Sequence, residues 1–466
     1  MASIAPREFP MSVSRATLVL MATLGALLFL AFVVFRVQGF GALMPMMLVV
    51  AMCMGVLVVL RPAIGLVALV FSAAFVRFSI STGTDSALVV SLLCAVLLIV
   101  GWVTHRLVER QPLILLPRRI SIPAAILAAA TLISFLWGRL TLDHRIVVPE
   151  TFYRVQIGQA LLTLVSLGLL FVSADLLRNR SLRNFIMYSF LGVGALALPI
   201  RWFGWDVQNI NTAGLFGLWF VALAWSSALT NDELPRWVRI SLAALACGWL
   251  AMSYIKAGSW VSGWLPAVIA ILIITLIAKP RIGIALTLSM IVGLTFYFSI
   301  LYNVLVTTQE QEGSLGGDFG RLQLIQRNLE LIQEHLLVGT GPAGYALYYV
   351  TFAPDRAMST HNNYVDILSQ NGIAGLVGFV ALLFGLGMIA LRLVPRVTHT
   401  ADRTLAIAIA GGVPGLIFSL WLGDWLIPFV YNQTIAGFDH AVYSWLMLSC
   451  LCGLYAQYRR EGETHA

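Results

Sequence analysis

Long apolar runs separated by short polar punctuation recur along the whole chain, at residues 15–35, 39–60, 63–79, 87–104, 122–137, 156–176, 184–200, 212–229, 239–255, 261–278, 283–305, 372–391, 404–424 and 440–457. In lipid every backbone N–H and C=O must be paired within the protein, which a helix achieves within its own segment. A crossing needs roughly 20 apolar residues, so the pattern predicts an all-α polytopic membrane protein of about 12–14 transmembrane helices, the lower count applying if a short run is re-entrant. The first run follows Arg7 and Arg15 without a small-residue cleavage pattern and reads as an uncleaved signal anchor.

One stretch departs from the pattern and divides the chain into residues 1–305 (helices 1–11), a loop at 306–371, and the closing helices with a short tail at 372–466. Loops of this length usually have a function. TTQEQEGSLGGDFG is polar and glycine-rich, as expected of a flexible entrance. RLQLIQRNLELIQEHLL then sets Leu322, Ile325, Leu329, Ile332 and Leu336 at helical spacing with Asp318 as a cap, predicting an amphipathic helix on the membrane surface or packed over the bundle. GTGPAG follows, with Tyr345, Tyr348, Tyr349 and Phe352, rings suited to the interface or to stacking on sugars. STHNNYVDILSQNG predicts a short helix capped by Ser359 or Thr360 and ended by Gly372.

Composition sharpens this reading. The 466 residues are 59% hydrophobic and 11% charged, with a mean hydropathy of +0.89, where a soluble domain is about 45–50% apolar and about 25% charged. A soluble globule, a disordered tail and a disulfide-stapled module are excluded. The net charge of +8 would suggest nucleic acid in a soluble protein; here the basic residues sort by membrane side instead. With the N-terminus inside, nineteen fall on the cytoplasmic side. Ten fall outside: Arg36, Arg77, Arg139, Arg145, Arg154, Arg201, Lys256, Arg321, Arg327 and Arg356. The loop at 306–371 is then periplasmic and both termini cytoplasmic. The partner is the bilayer, and no nucleic acid is expected. All five cysteines lie inside apolar runs, where they behave as small hydrophobes.

The chemistry on offer is cationic and imidazole chemistry. Neither lysine precedes Ser or Thr, so there is no phosphate-binding P-loop, and no DxD or HExxH occurs. No metal and no cofactor are expected. His361 falls in the first turn of the predicted helix, where the dipole disfavours imidazolium and leaves a neutral imidazole fit to act as a general base. A loop histidine that merely hydrogen-bonds is the alternative. Arg321 opens the loop helix, and Arg201 and Lys256 end spans on the outer side. Arginine's planar fork suits phosphate, and a cation at membrane depth is costly unless paired. For Arg36, Arg77 and Arg139, snorkelling to the surface is the expectation. Asp424, in WLGDWL, is placed to orient a base or to pair with an arginine.

The run THNNYVDILSQNGIAGLVGF resembles the signature of the O-antigen ligase and O-antigen polymerase superfamily. There a histidine and a polar residue precede an apolar helix, and a glycine turn starts the next span. Upstream, GRLQLIQRNLELIQEHLLVGTGPAGY is similar to that superfamily's arginine-led helix and Pro/Gly turn. The resemblance covers 315–385 in detail. It implies a bundle with one large periplasmic loop, and metal-independent glycosyl transfer from a polyprenyl-diphosphate-linked glycan. It places the catalytic role on His361 and diphosphate binding on Arg321 and Lys256; Arg201, on no motif, is read as a further diphosphate contact, and Asn362 and Asp424 as supporting residues. Where the superfamily carries a second arginine, Lys256 keeps the charge and loses the fork. The function so implied is that of an O-antigen ligase in the bacterial inner membrane, moving O-polysaccharide from undecaprenyl diphosphate to the lipid A-core. An O-antigen polymerase and a protein O-oligosaccharyltransferase share the motifs. The latter usually carries a further C-terminal region, where YRREGETHA stands here. A lipid-linked glycan flippase would spread its charges through the bundle midplane, whereas here the polar residues concentrate in one loop.

Overall fold

The computed structural model describes residues 55–81, 87–112, 116–144, 146–205, 210–258, 260–314, 321–352 and 359–464. They form two compact units, the described parts of 1–67 with 96–113 and of 68–95 with 114–466. The first comprises the start of α1 (Pro62–Phe75) and most of α2 (Val90–Val108). Within it Val58 packs on Gly65 and Gly101, whose missing side chains permit the approach.

The second unit takes the end of α1 and then a hairpin that the apolar pattern does not predict. β1 (Ser79–Ser81) pairs antiparallel with β2 (Ala87–Val89), Ile80 opposite Leu88. The helices are α3 (Arg118–Leu140), α4 (Phe152–Leu176), α5 (Arg180–Phe203), α6 (Phe216–Thr230), α7 (Arg236–Ala257), α8 (Val261–Ala278) and α9 (Pro280–Ser314). After them come α10 (Arg321–His335), α11 (Tyr345–Phe352), α12 (Asn363–Leu393), α13 (Thr400–Ser419), α14 (Val430–Gln433) and α15 (Phe438–Thr464). Nine helices among the described residues are long and apolar enough to cross a membrane, and shorter apolar helical stretches fall at Pro62–Phe75, Phe216–Thr230 and Pro280–Gly293, the last being the first part of α9. Every expected span from 63–79 onward falls on a helix. The run at 15–35 and most of that at 39–60 lie outside the described residues. The protein is an all-α polytopic membrane protein.

Small residues set the helix contacts, as they must where lipid offers no hydrophobic drive between helices. On α13, Gly411 and Gly415 lie against the Ala270 and Pro266 carbonyls of α8. On α12, Gly378 and Gly385 lie against the backbone of α3 at Pro123, Leu127 and Arg119. The short α6 is the buried centre of the unit, with Phe216, Trp219, Phe220 and Val221 all at most 1% exposed, and Trp219 Nε1 donates to Ser444 Oγ at 2.9 Å. Outward faces carry bare apolar side chains, Phe296 and Phe298 on α9 and Trp237 on α7 among them.

Polar contacts gather near the two ends of α4. At one end Arg183, wholly buried, binds Asp402 at 2.7 Å and the carbonyls of Leu177 and Arg178 at 2.8 and 2.9 Å. Asp402 lies in the first turn of α13, where the helix dipole favours a carboxylate. At the other end the segment before α12 meets residues 420–433, and Gln159 of α4 holds the Pro428 carbonyl and the Val430 N–H at 3.1 and 2.9 Å.

Candidate functional site

The site begins with a cap. Asn362 has extended backbone, and its side-chain oxygen accepts from the N–H groups of Tyr364 and Val365 at 3.0 and 3.3 Å. The expected caps are therefore corrected. Ser359 Oγ accepts from the His361 N–H at 2.9 Å instead, and Thr360 turns to Asp366, its hydroxyl at 2.6 Å and its N–H at 3.2 Å from Oδ1. His361 is corrected too: it precedes the cap rather than sitting in the first turn, in left-handed backbone at φ 52°. Residues other than glycine are uncommon there, though histidine is among those that adopt it more often.

Gly372 ends the short helix, as expected, but the chain continues directly into the long half of α12. At φ 64°, ψ −168° it breaks the helix without a loop. The backbone groups freed by the break are taken up by residues 336–341. Ile373 N–H donates to the Leu336 carbonyl at 2.8 Å, Thr340 N–H to that of Ser369 at 2.9 Å, and Gly341 N–H to that of Gln370 at 3.0 Å. Gln370 Oε1 accepts from Ala343 N–H at 2.9 Å. Irregular backbone is tolerated at membrane depth where protein satisfies it in this way, and such broken helices often form binding sites.

Residues 420–433 complete the site. Asn363 binds the Ile427 carbonyl at 2.8 Å and the Leu426 N–H at 3.0 Å, and its own N–H reaches the Leu420 carbonyl. This lays Asp424 beside the cap. Asp424 is 1% exposed. One of its oxygens accepts from Phe429 N–H at 2.9 Å, and the other from Asn432 Nδ2 at 3.2 Å. Asn432 Nδ2 also faces His361 Nδ1 at 3.3 Å, and His361 Nδ1 stands 4.0 Å from Asp424 Oδ1. Burial pushes the Asp424 carboxyl above its ordinary range, opposed by bonds from Phe429, Asn432 and Gln433. The imidazole is part-exposed while its partner carboxylate is buried. The arrangement can hold a base and orient it.

A second carboxylate stands close by that sequence reading missed. Asp366 is buried and near enough to Asp424 for their charges to repel. Besides the two Thr360 bonds it receives the Tyr345 hydroxyl at 2.6 Å. Burial, then the Asp366 charge, raise the Tyr345 phenol well above its usual range, so it stays a donor. Tyr345 also stacks on Phe429 with centroids 4.7 Å apart, joining α11 to the Asp424 loop. The aspartate in NNYVDIL, one turn after a cap, was the available signal.

Arg201, Lys256 and Arg77 form a separate group. Lys256 Nζ donates to the Arg201 carbonyl at 2.5 Å, and Arg201 Nη1 reaches the Thr212 carbonyl at 3.5 Å. Arg77, expected only to snorkel, acts electrostatically on Arg201, Asp439 and His440. His440 Nδ1 faces Gln433 Oε1 at 3.4 Å, and Gln433 also bonds Asp424, so side-chain contacts connect this group to the His361 network. Arg139 lies over the Tyr153 ring at 4.5 Å. Arg321 begins α10, but its side chain, like Asp318, lies outside the described residues. Among the described residues no three His, Cys, Asp or Glu side chains cluster as a metal site.

Residues 240–380 match a protein-family model described as O-antigen ligase. The matched stretch contains Lys256, Arg321, His361, Asn362, Asp366 and the break at Gly372. It bears out the resemblance and is consistent with a member of the O-antigen ligase and polymerase superfamily. No curated protein matches the chain.

Proposed function

On the strength of an O-antigen ligase match that spans the His361 segment, we propose that this protein is a metal-independent, inverting glycosyltransferase of the bacterial inner membrane with its site facing the periplasm. It moves an O-polysaccharide from undecaprenyl diphosphate to the lipid A-core oligosaccharide. The observation that carries the reading is His361 Nδ1 at 4.0 Å from the buried Asp424, with Asn432 between them.

In the resting arrangement Asn432 donates toward both His361 Nδ1 and Asp424, so the neutral ring keeps its proton on Nε2. To serve as a base, the ring must carry that proton on Nδ1 instead. Asp424 accepts the Nδ1–H bond once the 4.0 Å gap closes to hydrogen-bond distance, a tightening common when a catalytic site engages its substrate. Nε2 then takes the proton from an acceptor hydroxyl as its oxygen attacks the anomeric carbon. The bond from that carbon to the diphosphate breaks, and the electron pair leaves with the diphosphate. Attack from the face opposite the leaving group inverts the centre. Arg201, Lys256 and Arg77 supply the positive field for the developing charge, and Arg321 joins them on its motif. Asp424 stabilises the imidazolium.

The test is purified protein in lipid with a polyprenyl-diphosphate-linked glycan and lipid A-core, in excess EDTA. Wild type is expected to build a ladder on the acceptor. His361→Ala is expected to lose about 10²–10⁴-fold in rate while unfolding at the wild-type temperature. Growth of the donor lipid alone assigns polymerase instead. Wild-type rates in the variant, or dependence on an added divalent cation, overturn the mechanism.

A further inference from the structure

Away from the His361 network, a cavity of about 540 Å³ opens between the 143–146 turn and helices α10 and α11. Its size falls within the roughly 300–1,000 Å³ of small-molecule sites. Asp143, Arg327, Asn328, Glu330, Tyr348 and Tyr349 are among its lining residues. Asn328 points to a ligand. It is 1% exposed, yet neither its amide oxygen nor its amide nitrogen has a hydrogen-bond partner. A buried amide left unpaired on both atoms is rare and costly.

The chemistry of the wall narrows the ligand class. Tyr348 hydroxyl is held by His335 Nε2 at 2.9 Å and Tyr349 hydroxyl by the Leu324 carbonyl at 2.7 Å, so both rings are fixed as apolar walls. Asn328 offers donors and an acceptor, Glu330 an acceptor and Arg327 donors, the mixture that vicinal hydroxyls satisfy. Asp143, Glu330 and Glu334 outnumber Arg327, which disfavours a diphosphate. Tyr349 meets Tyr345 edge-on with centroids 6.0 Å apart, and Tyr345 bonds Asp366, so α11 joins the cavity to the candidate site.

We propose that this cavity seats pyranose units of a glycan substrate, remote from the bond being made. The inference rests on the glycosyltransferase reading and adds the place where sugar is recognised. Pyranose units reach the protein from either substrate, so the test uses two delipidated probes on the purified full chain. One is core oligosaccharide freed from lipid A, the other O-polysaccharide freed from its diphosphate lipid. Titration calorimetry is expected to show binding of at least one, the probe bound naming the source. Asn328→Ala and the exposed-site variant Glu330→Gln are each expected to weaken it by at least about tenfold. In transfer assays the KM for the matching substrate rises by a similar factor while kcat stays within about twofold. His361→Ala retains binding. If Asn328→Ala fails to fold, Glu330→Gln decides alone. Binding of neither probe, or wild-type affinity in the folded variants, overturns the cavity proposal. Variant-sensitive binding without transfer by wild type upholds the cavity and overturns the glycosyltransferase reading.

Discussion

At the scale of single residues, Asp424 has opposed effects on stability and activity. Its carboxyl is held above the ordinary range, chiefly by burial. The folded protein therefore binds this proton more tightly than the unfolded chain. The resulting stability is complete below the ordinary pKa of about 3.9 and is lost as pH rises through the raised value. Activity follows the opposite sign, because the carboxylate is the form that stabilises an imidazolium. Asp424→Asn retains a neutral acceptor for Phe429 N–H. It is expected to unfold at a higher temperature than wild type at pH 8, while transfer falls by at least about tenfold. The acid limb of the wild-type pH–rate profile should combine the Asp424 ionisation, above that of a free carboxylate, with that of the His361 base, and only the latter should remain in the variant. Calorimetry and rates measured from pH 4 to 9 check both.

At the scale of elements, the break in α12 positions the site. Gly372 occupies a backbone region essentially closed to other residues, and a Cβ there would collide with the Leu337 carbonyl. Gly372→Ala is expected to cost about 1–3 kcal/mol from backbone conformation alone, and to reduce transfer by disturbing the 336–344 brace. Gly387→Ala, farther along α12 with only Val413 near at 3.9 Å, is the matched control and should be neutral to stabilising by up to about 1 kcal/mol. Thermal unfolding of the two variants in one detergent separates the outcomes. The helix α10 makes a related point. Apolar spacing alone selects Leu322, Ile325, Leu329, Ile332 and Leu336. The side chains it buries include Leu324, Asn328 and Ile332, whereas Leu329 and Leu336 are exposed. A buried polar residue in the packed stripe shifts the face away from the hydrophobic pattern.

At the scale of the whole molecule, the reading depends on which side of the membrane holds the His361 network. A glycan exported on a lipid can be joined to its acceptor only where both are present. His144, with its side chain 96% exposed, belongs to the turn between α3 and α4 at the His361 end. Asp232, 81% exposed, belongs to the α6–α7 turn at the Arg183 end. In intact spheroplasts a membrane-impermeant maleimide is expected to label His144→Cys directly and Asp232→Cys only after lysis. The reverse pattern would place the site in the cytosol and end the periplasmic reading.

Local patterning was enough to locate the described membrane helices, because the need to satisfy backbone groups in lipid acts segment by segment. It also singled out His361 as a candidate and located the glycine that ends the short helix. The site's surroundings depend on pairings across long stretches of chain. Asn363 binds Ile427 sixty-four residues away, and Gln159 binds Val430 at a separation of 271. Such contacts leave no periodicity. Asn432, the approach of Asp366 to Asp424 and the grouping of Arg77 with Arg201 and Asp439 therefore emerge only when the helices assemble. Sequence alone determined a bilayer-spanning helical protein with an imidazole on one loop. Tertiary packing decided which carboxylate that imidazole faces, because buried charges take their partners from whichever segments are brought beside them.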